Sequence, residues 1–221
     1  MDPRVKPEDD EAERFSMNLD KLKDAEAQFL QLYPLGFDDP EMAKIGKKHQ
    51  MSQRIEQCQS AFAELEFNKP HIIVDNMIKQ VSRSSMVSMF EKPKFRDWAK
   101  SLPGGDVDRL SEALYEQLHG NQQQGFDAML DLLRQQKLAK WSLMTILPNY
   151  VKPDDEVFVK PTTAKGVIAH FELPDLVYKP QPSWSFYAEY RAQILAMKQH
   201  VDPTLQRSNA AFCGFLMMSM M

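Results

Sequence analysis

The chain has 221 residues, 43% of them hydrophobic and 26% charged, with a net charge of −4. That length suffices for one large domain or two small ones with a real core. The 8 glycines are too few for an all-β sandwich or a phosphate-cradling glycine loop, and the charge excludes a strongly basic nucleic-acid footprint.

Residues 1–17 carry acids where a signal peptide needs bases, and no apolar stretch follows them. They read as a disordered leader on a cytoplasmic protein. Asn18 is placed to cap a helix whose Leu22, Ala25, Phe29 and Leu32 share one face, with Pro34 and Gly36 ending it. Asp39-Pro40 restarts a helix, expected to run with Met51, Ile55, Cys58, Phe62 and Leu65 on one stripe as far as Asn68. The first half of that helix is polar, with Lys44, Lys47, Lys48, His49 and Arg54. It reads as a solvated face or, more sharply, as an anion-binding patch. Pro70 opens a third helix with Ile73, Met77, Ile78 and Val81 inward, broken near Ser82–Ser85. Together these make an up-and-down helical module over residues 18–92.

A second module is expected over residues 93–221. Pro93 starts a short helix with Phe95 and Trp98, and Pro103-Gly104-Gly105 ends it. Asp106 is placed to cap a helix with Val107, Leu110, Leu114 and Leu118 inward, and Gly120-Asn121 separates it from one carrying Phe126, Met129, Leu130 and Leu133. Leu138 to Leu147 is apolar around most of its circumference, the mark of a buried helix, and Pro148 is expected to close it. Glu156 to Lys160 then alternates, with Val157 and Val159 on one side, and predicts a strand. Thr163 opens a short helix, Pro180 and Pro182 hold Val177-Tyr178 extended, and Ser183 caps a long helix with Trp184, Tyr187, Tyr190, Ile194 and Met197 in register. Phe212–Met221 is an apolar segment that must dock on the core or on a partner. The expected fold is mainly α: a bundle-like N-terminal half and an α+β C-terminal half with a small, short-stranded sheet. No apolar run approaches the ~18 residues of a membrane span.

No nucleotide, zinc-protease or serine-hydrolase motif occurs, and Cys58 and Cys213 stand alone as small buried hydrophobes. His49, His71, His119, His170 and His200 lack ligand spacing, so no metal or cofactor is expected. His170-Phe-Glu172 has the H-x-E form of a zinc deaminase without the cysteine motif that should follow. Pro153-Asp154-Asp155-Glu156 through Lys160 resembles the acid-and-lysine signature of Mg²⁺-dependent nucleases. Its acids are contiguous, however, and Glu156 and Lys160 lie roughly 13 Å apart along a strand, too far to share one metal-bound water. The remaining binding candidates are Lys160, Thr162, Lys165, Tyr178, Lys179 and Trp184, a basic and aromatic set able to stack bases and hold phosphates. Tyr and Trp serve equally as amphipathic anchors in ordinary cores.

The succession KWSLMTILPNY, EVFVKPTTAKG, LVYKPQPSWSFY and SNAAFCGFLMM resembles the C-terminal part of an uncharacterised bacterial family, over about residues 100–221. The resemblance implies a bacterial origin, a single C-terminal module and a terminal apolar strand, but no activity and no catalytic residue. The expected function is therefore a non-enzymatic binding or regulatory role exerted through an intracellular protein partner, with Phe212–Met221 available for a partner or for self-association. A nucleic-acid-binding module using the basic-aromatic face is the alternative, and a divergent Mg²⁺-dependent nuclease a further one.

Overall fold

The computed structural model describes residues 17–173 and 175–221. The leader expected over residues 1–17 lies, apart from Met17, outside them. Caps and prolines set the helix starts. Asn18 accepts the Lys21 amide at 3.0 Å and opens α1 (Leu19–Leu32). Asp39 accepts the Glu41 amide at 3.1 Å ahead of α2 (Pro40–His49), and Pro70 begins α4 (Pro70–Arg83). Asn121 caps α7 (Gln122–Arg134) and Ser183 caps α10 (Trp184–Gln199) in the same way. The other helices are α3 (Met51–Ala61), α5 (Glu91–Lys100), α6 (Gly104–His119), α8 (Trp141–Val151), α9 (Pro161–His170) and α11 (Asn209–Met218).

The single helix expected from Asp39 to Asn68 is divided. Gln50 takes a left-handed conformation (φ 52°, ψ 36°) that separates α2 from α3. A 3₁₀ turn over Glu64–Asn68 follows, leaving Leu65 86% exposed rather than on the apolar stripe. The second difference is at Pro148, where α8 continues to Val151. Only one turn remains beyond the proline, so little of the hydrogen-bond ladder is lost, and every residue from Trp141 to Tyr150 is buried.

The expected sheet is absent: among the described residues there is no strand, and the C-terminal half is all-α like the N-terminal half. Glu156–Lys160 is extended but has no partner strand. Its polar backbone is satisfied by side chains instead, because helices surround it. The Val157 amide donates to the Tyr187 hydroxyl at 3.3 Å and the Val159 amide to Thr145 Oγ1 at 3.0 Å. Asn209 Nδ2 donates to the carbonyls of Asp154 and Glu156 at 2.9 and 3.1 Å. Glu156, Val157, Phe158 and Val159 are all buried, so the alternation does not mark a half-exposed strand. This segment is a strap threaded between α8, α10 and α11. The terminal apolar segment, a strand by resemblance, is likewise helical as α11.

Packing makes one continuous core. The α6–α7 hairpin closes over Gly125, where a Cβ would sit 2.2 Å from the Gln117 amide nitrogen. Helix α4 lies on α6, α3 and α4 both lie on α8, and α11 packs on α9 and α10. Contacts thus run across residues 92–93, where the two modules were expected to meet. The start of α1 docks on the end of α9, with the Asn18 amide donating to the Phe171 carbonyl at 2.9 Å and Lys21 paired to Glu172 at 2.7 Å.

One core residue contradicts its setting. Asn149 in α8 is fully buried, and among the described residues neither its Oδ1 nor its Nδ2 meets a partner. An unpartnered buried amide costs about 1–3 kcal/mol. Asn149→Leu, a γ-branched apolar replacement, is therefore expected to raise stability by about 1–2 kcal/mol. Urea denaturation checks this: the midpoint should rise with an unchanged slope.

Candidate functional site

Helix α2 has no buried residue, and its Met42, Gly46 and His49 are half-buried. It lies across the molecule near α11, and between the two is a cleft of about 1060 Å³. Phe29, Phe158 and Phe215, all buried in the core, form its deepest lining. Met42 and Ile45 line it from α2, Met51 from α3, Met86 from the connector before α5, and Met217 and Met218 from α11. Unbranched thioethers repack around irregular shapes, so such a wall is adaptable.

Two glycines face this space. Gly46 in α2 and Gly214 in α11 both line the cleft, and a Cβ at either would meet no atom within 4 Å. Glycine in a helix interior costs about 0.5–1 kcal/mol relative to alanine. Nothing in the packing requires it at these positions. At both, a side chain would start into open space beside the cleft.

The rim is polar and mostly cationic. Lys47, His49, Lys160 and Arg207 border the cleft with Asp38. Arg207 is paired to Asp38, whereas among the described residues Lys47 and Lys160 have no carboxylate partner. His49 Nδ1 lies 2.8 Å from Ser85 Oγ, tying the end of α2 to the connector after α4. Burial pushes the Cys213 thiol up to about 12, so at neutral pH it is an un-ionised, weakly nucleophilic part of the wall.

The six residues singled out from the sequence fall into separate places. Lys160 is exposed and borders the cleft. Thr162 is exposed in the first turn of α9. Lys165 stands 5.0 Å over the Tyr178 ring, which meets Phe186 edge-on at 5.9 Å. Lys179 contributes its backbone carbonyl to Trp141 Nε1 at 2.8 Å, its side chain remaining exposed. Trp184 packs on Phe126 at 5.7 Å and lies under Arg191, also at 5.7 Å. The structure thus brings Lys165 to Tyr178, but Trp184 does not share the cleft that Lys160 borders.

Of the acids in the nuclease-like segment, Asp154 and Asp155 are exposed and Glu156 is buried with other partners. Glu156, 3% exposed, receives Arg191 Nη1 at 2.7 Å, Gln122 Nε2 at 2.6 Å and the Tyr187 hydroxyl. Burial and the Glu156 carboxylate raise the Tyr187 phenol well above its ordinary range, which keeps it a donor. These three donors make the carboxylate a structural anchor for the strap.

Arg54, one of the cations read from the sequence as a solvated face or an anion-binding patch, is not solvated: it is only 6% exposed. Its guanidinium is surrounded by amides: Nη1 donates to Gln57 Oε1 at 3.2 Å and Gln80 Oε1 at 3.4 Å, and Nη2 donates to Gln50 Oε1 at 2.7 Å. The available signal was the cluster of cations around residues 44–54, together with glycines inside two helical segments. Comparison of the chain with protein-family models, curated proteins and solved structures finds no match.

Proposed function

We propose that this chain is a non-enzymatic binding protein that holds the apolar part of an amphipathic ligand in the α2–α11 cleft. The observation that carries this is a methionine-lined space of about 1060 Å³, roofed by a helix with no buried residue and bordered by two glycines. That volume is at the upper end for small-molecule sites. The cationic rim favours a ligand with an anionic end. A partner protein's amphipathic helix is the second reading. It is favoured by the mouth of the cleft, where Ile45 and Met217 stay 43% and 37% exposed. Nucleic acid is left out because Trp184 is stacked within the protein rather than offered to a base.

A neutral apolar dye, N-phenyl-1-naphthylamine, tests the cleft. The unaltered protein is expected to bind it with enhanced fluorescence. Gly214→Trp, which fills open space rather than displacing an atom, should weaken binding by roughly tenfold or more, the equivalent of losing about 1.4 kcal/mol of burial. Gly46→Ala and Gly214→Ala should each stabilise the fold by about 0.5–1 kcal/mol. Equal dye binding by the protein and its Gly214→Trp variant, or none by either, would refute the assignment.

A further inference from the structure

Arg54 is a buried cation without an anion. Among the described residues no carboxylate pairs with it, and its Nε finds no partner at all. A guanidinium taken out of water needs strong acceptors, and arginine in proteins is always charged. Three neutral amide oxygens, one of them at 3.4 Å, are a weak substitute. Cys58 and Tyr150, two groups near it, supply no anion, since burial raises both.

The arrangement of the hydrogen bonds is informative. The Nε–H and Nη2–H of a guanidinium are parallel and form one edge, matched to the two oxygens of a carboxylate. On Arg54 the Nη1 side is held by Gln57 and Gln80, which fix the group to α3 and α4. Of the two nitrogens on the other edge, Nε has no partner among the described residues and Nη2 donates to Gln50 alone. Gln50 lines the cleft, sits at the left-handed junction of α2 and α3, and is exposed. Arg54 itself does not line the cleft, and Gln50, which does, is bonded to its Nη2.

We propose that Arg54 is the carboxylate receptor of the cleft, and that Gln50 is a placeholder which the ligand's carboxylate displaces. The ligand class is then a long-chain carboxylate: its hydrocarbon lies along Met51, Met86 and the α11 wall, and its head takes both Nε–H and Nη2–H of Arg54. This rests on the cleft reading above and adds the head group to it. Binding exchanges one neutral acceptor for two charge-assisted bonds while Gln57 and Gln80 keep their places.

Isothermal titration with dodecanoate and dodecanol at pH 8, both below the concentrations at which they self-associate, tests the proposal on the full chain. Dodecanoate is expected to bind about tenfold more tightly than dodecanol, the gain of a charge-assisted pair over a neutral one. Gln50→Ala should tighten dodecanoate several-fold and leave dodecanol unchanged, because the edge is then vacant. Arg54→Gln should erase the preference and keep dodecanol binding. Equal affinity for acid and alcohol in the unaltered protein, or a preference that survives Arg54→Gln, overturns the proposal and leaves the cleft reading standing. Should Arg54→Gln fail to fold, Gln50→Ala decides alone: an unchanged preference overturns it. Failure of the unaltered protein to bind either lipid overturns the cleft reading, and the receptor with it.

Discussion

Removal of residues 210–221 is expected to unfold the chain. Helix α11 contributes Phe212, Phe215 and Leu216 to the core, each at most 1% exposed. Phe215 meets Phe29 of α1 edge-on at 5.2 Å and Phe212 at 5.6 Å, so the last helix closes against the first. Burying a side chain of this size contributes about 1.5–3 kcal/mol, so the three together contribute about 5–9 kcal/mol. A domain is typically stable by only about 5–15 kcal/mol. The deletion therefore removes most or all of the margin, and far-UV circular dichroism with thermal melting should show no cooperative transition. A truncated chain that melts cooperatively within a few degrees of the intact one would mean that α11 is peripheral. The same helix supplies Gly214, Met217 and Met218 to the cleft wall. Core and cleft are two faces of one ten-residue helix, which is why Gly214→Trp, rather than a deletion, is the variant that separates binding from folding.

What could be read from the sequence was what is local. Asn18, Asp39-Pro40, Pro70 and Ser183 were legible as helix starts because a cap or a proline acts within the first turn, whereas Asp106 and Thr163 lie inside helices that begin at Gly104 and Pro161. The buried character of Trp141–Leu147 was legible for a similar reason, since an all-apolar circumference has no solvent face. The errors lie where partners come from far along the chain. Whether Glu156–Lys160 pairs with a strand depends on what sits beside its amides, and those partners are Thr145, Tyr187 and Asn209. The left-handed turn at Gln50 carries no glycine or asparagine to announce it. The cleft was illegible because its lining runs from Phe29 to Met218. Of the candidate residues, only Lys160 borders it. The burial of Arg54 was illegible because a charged residue on a helix is usually solvated, and only the fold shows three glutamines gathered around it.

The strap that was mistaken for a strand connects stability to the cleft, and Arg191→Met measures that connection. Arg191 is the only cation on Glu156 among the described residues; its Nη1 is 2.7 Å from both Glu156 Oε1 and Gln122 Oε1. Its guanidinium also lies 5.5 Å from the Tyr187 ring and 5.7 Å from Trp184. Methionine keeps much of the packing volume but leaves a buried carboxylate with two neutral donors. Breaking a buried pair from one side typically costs about 3–5 kcal/mol. The Arg191 side chain retains 21% exposure against 4% for Glu156, so the lower end applies, a loss of about 3 kcal/mol. In a chain of this length that lowers the melting temperature by roughly 6–12 °C. Glu156→Gln added to the Arg191→Met variant removes the stranded charge, and part of the loss should return, giving a coupling of about 1–3 kcal/mol in a double-mutant cycle. Additive single losses, within about 0.5 kcal/mol, would show that the ion pair does not hold the strap. Where it does hold, the consequence extends past stability: Phe158 and Lys160, two and four residues beyond Glu156, form part of the cleft's lining and rim. Freeing the strap at Glu156 should therefore weaken dye binding in Arg191→Met, although Arg191 itself does not line the cleft.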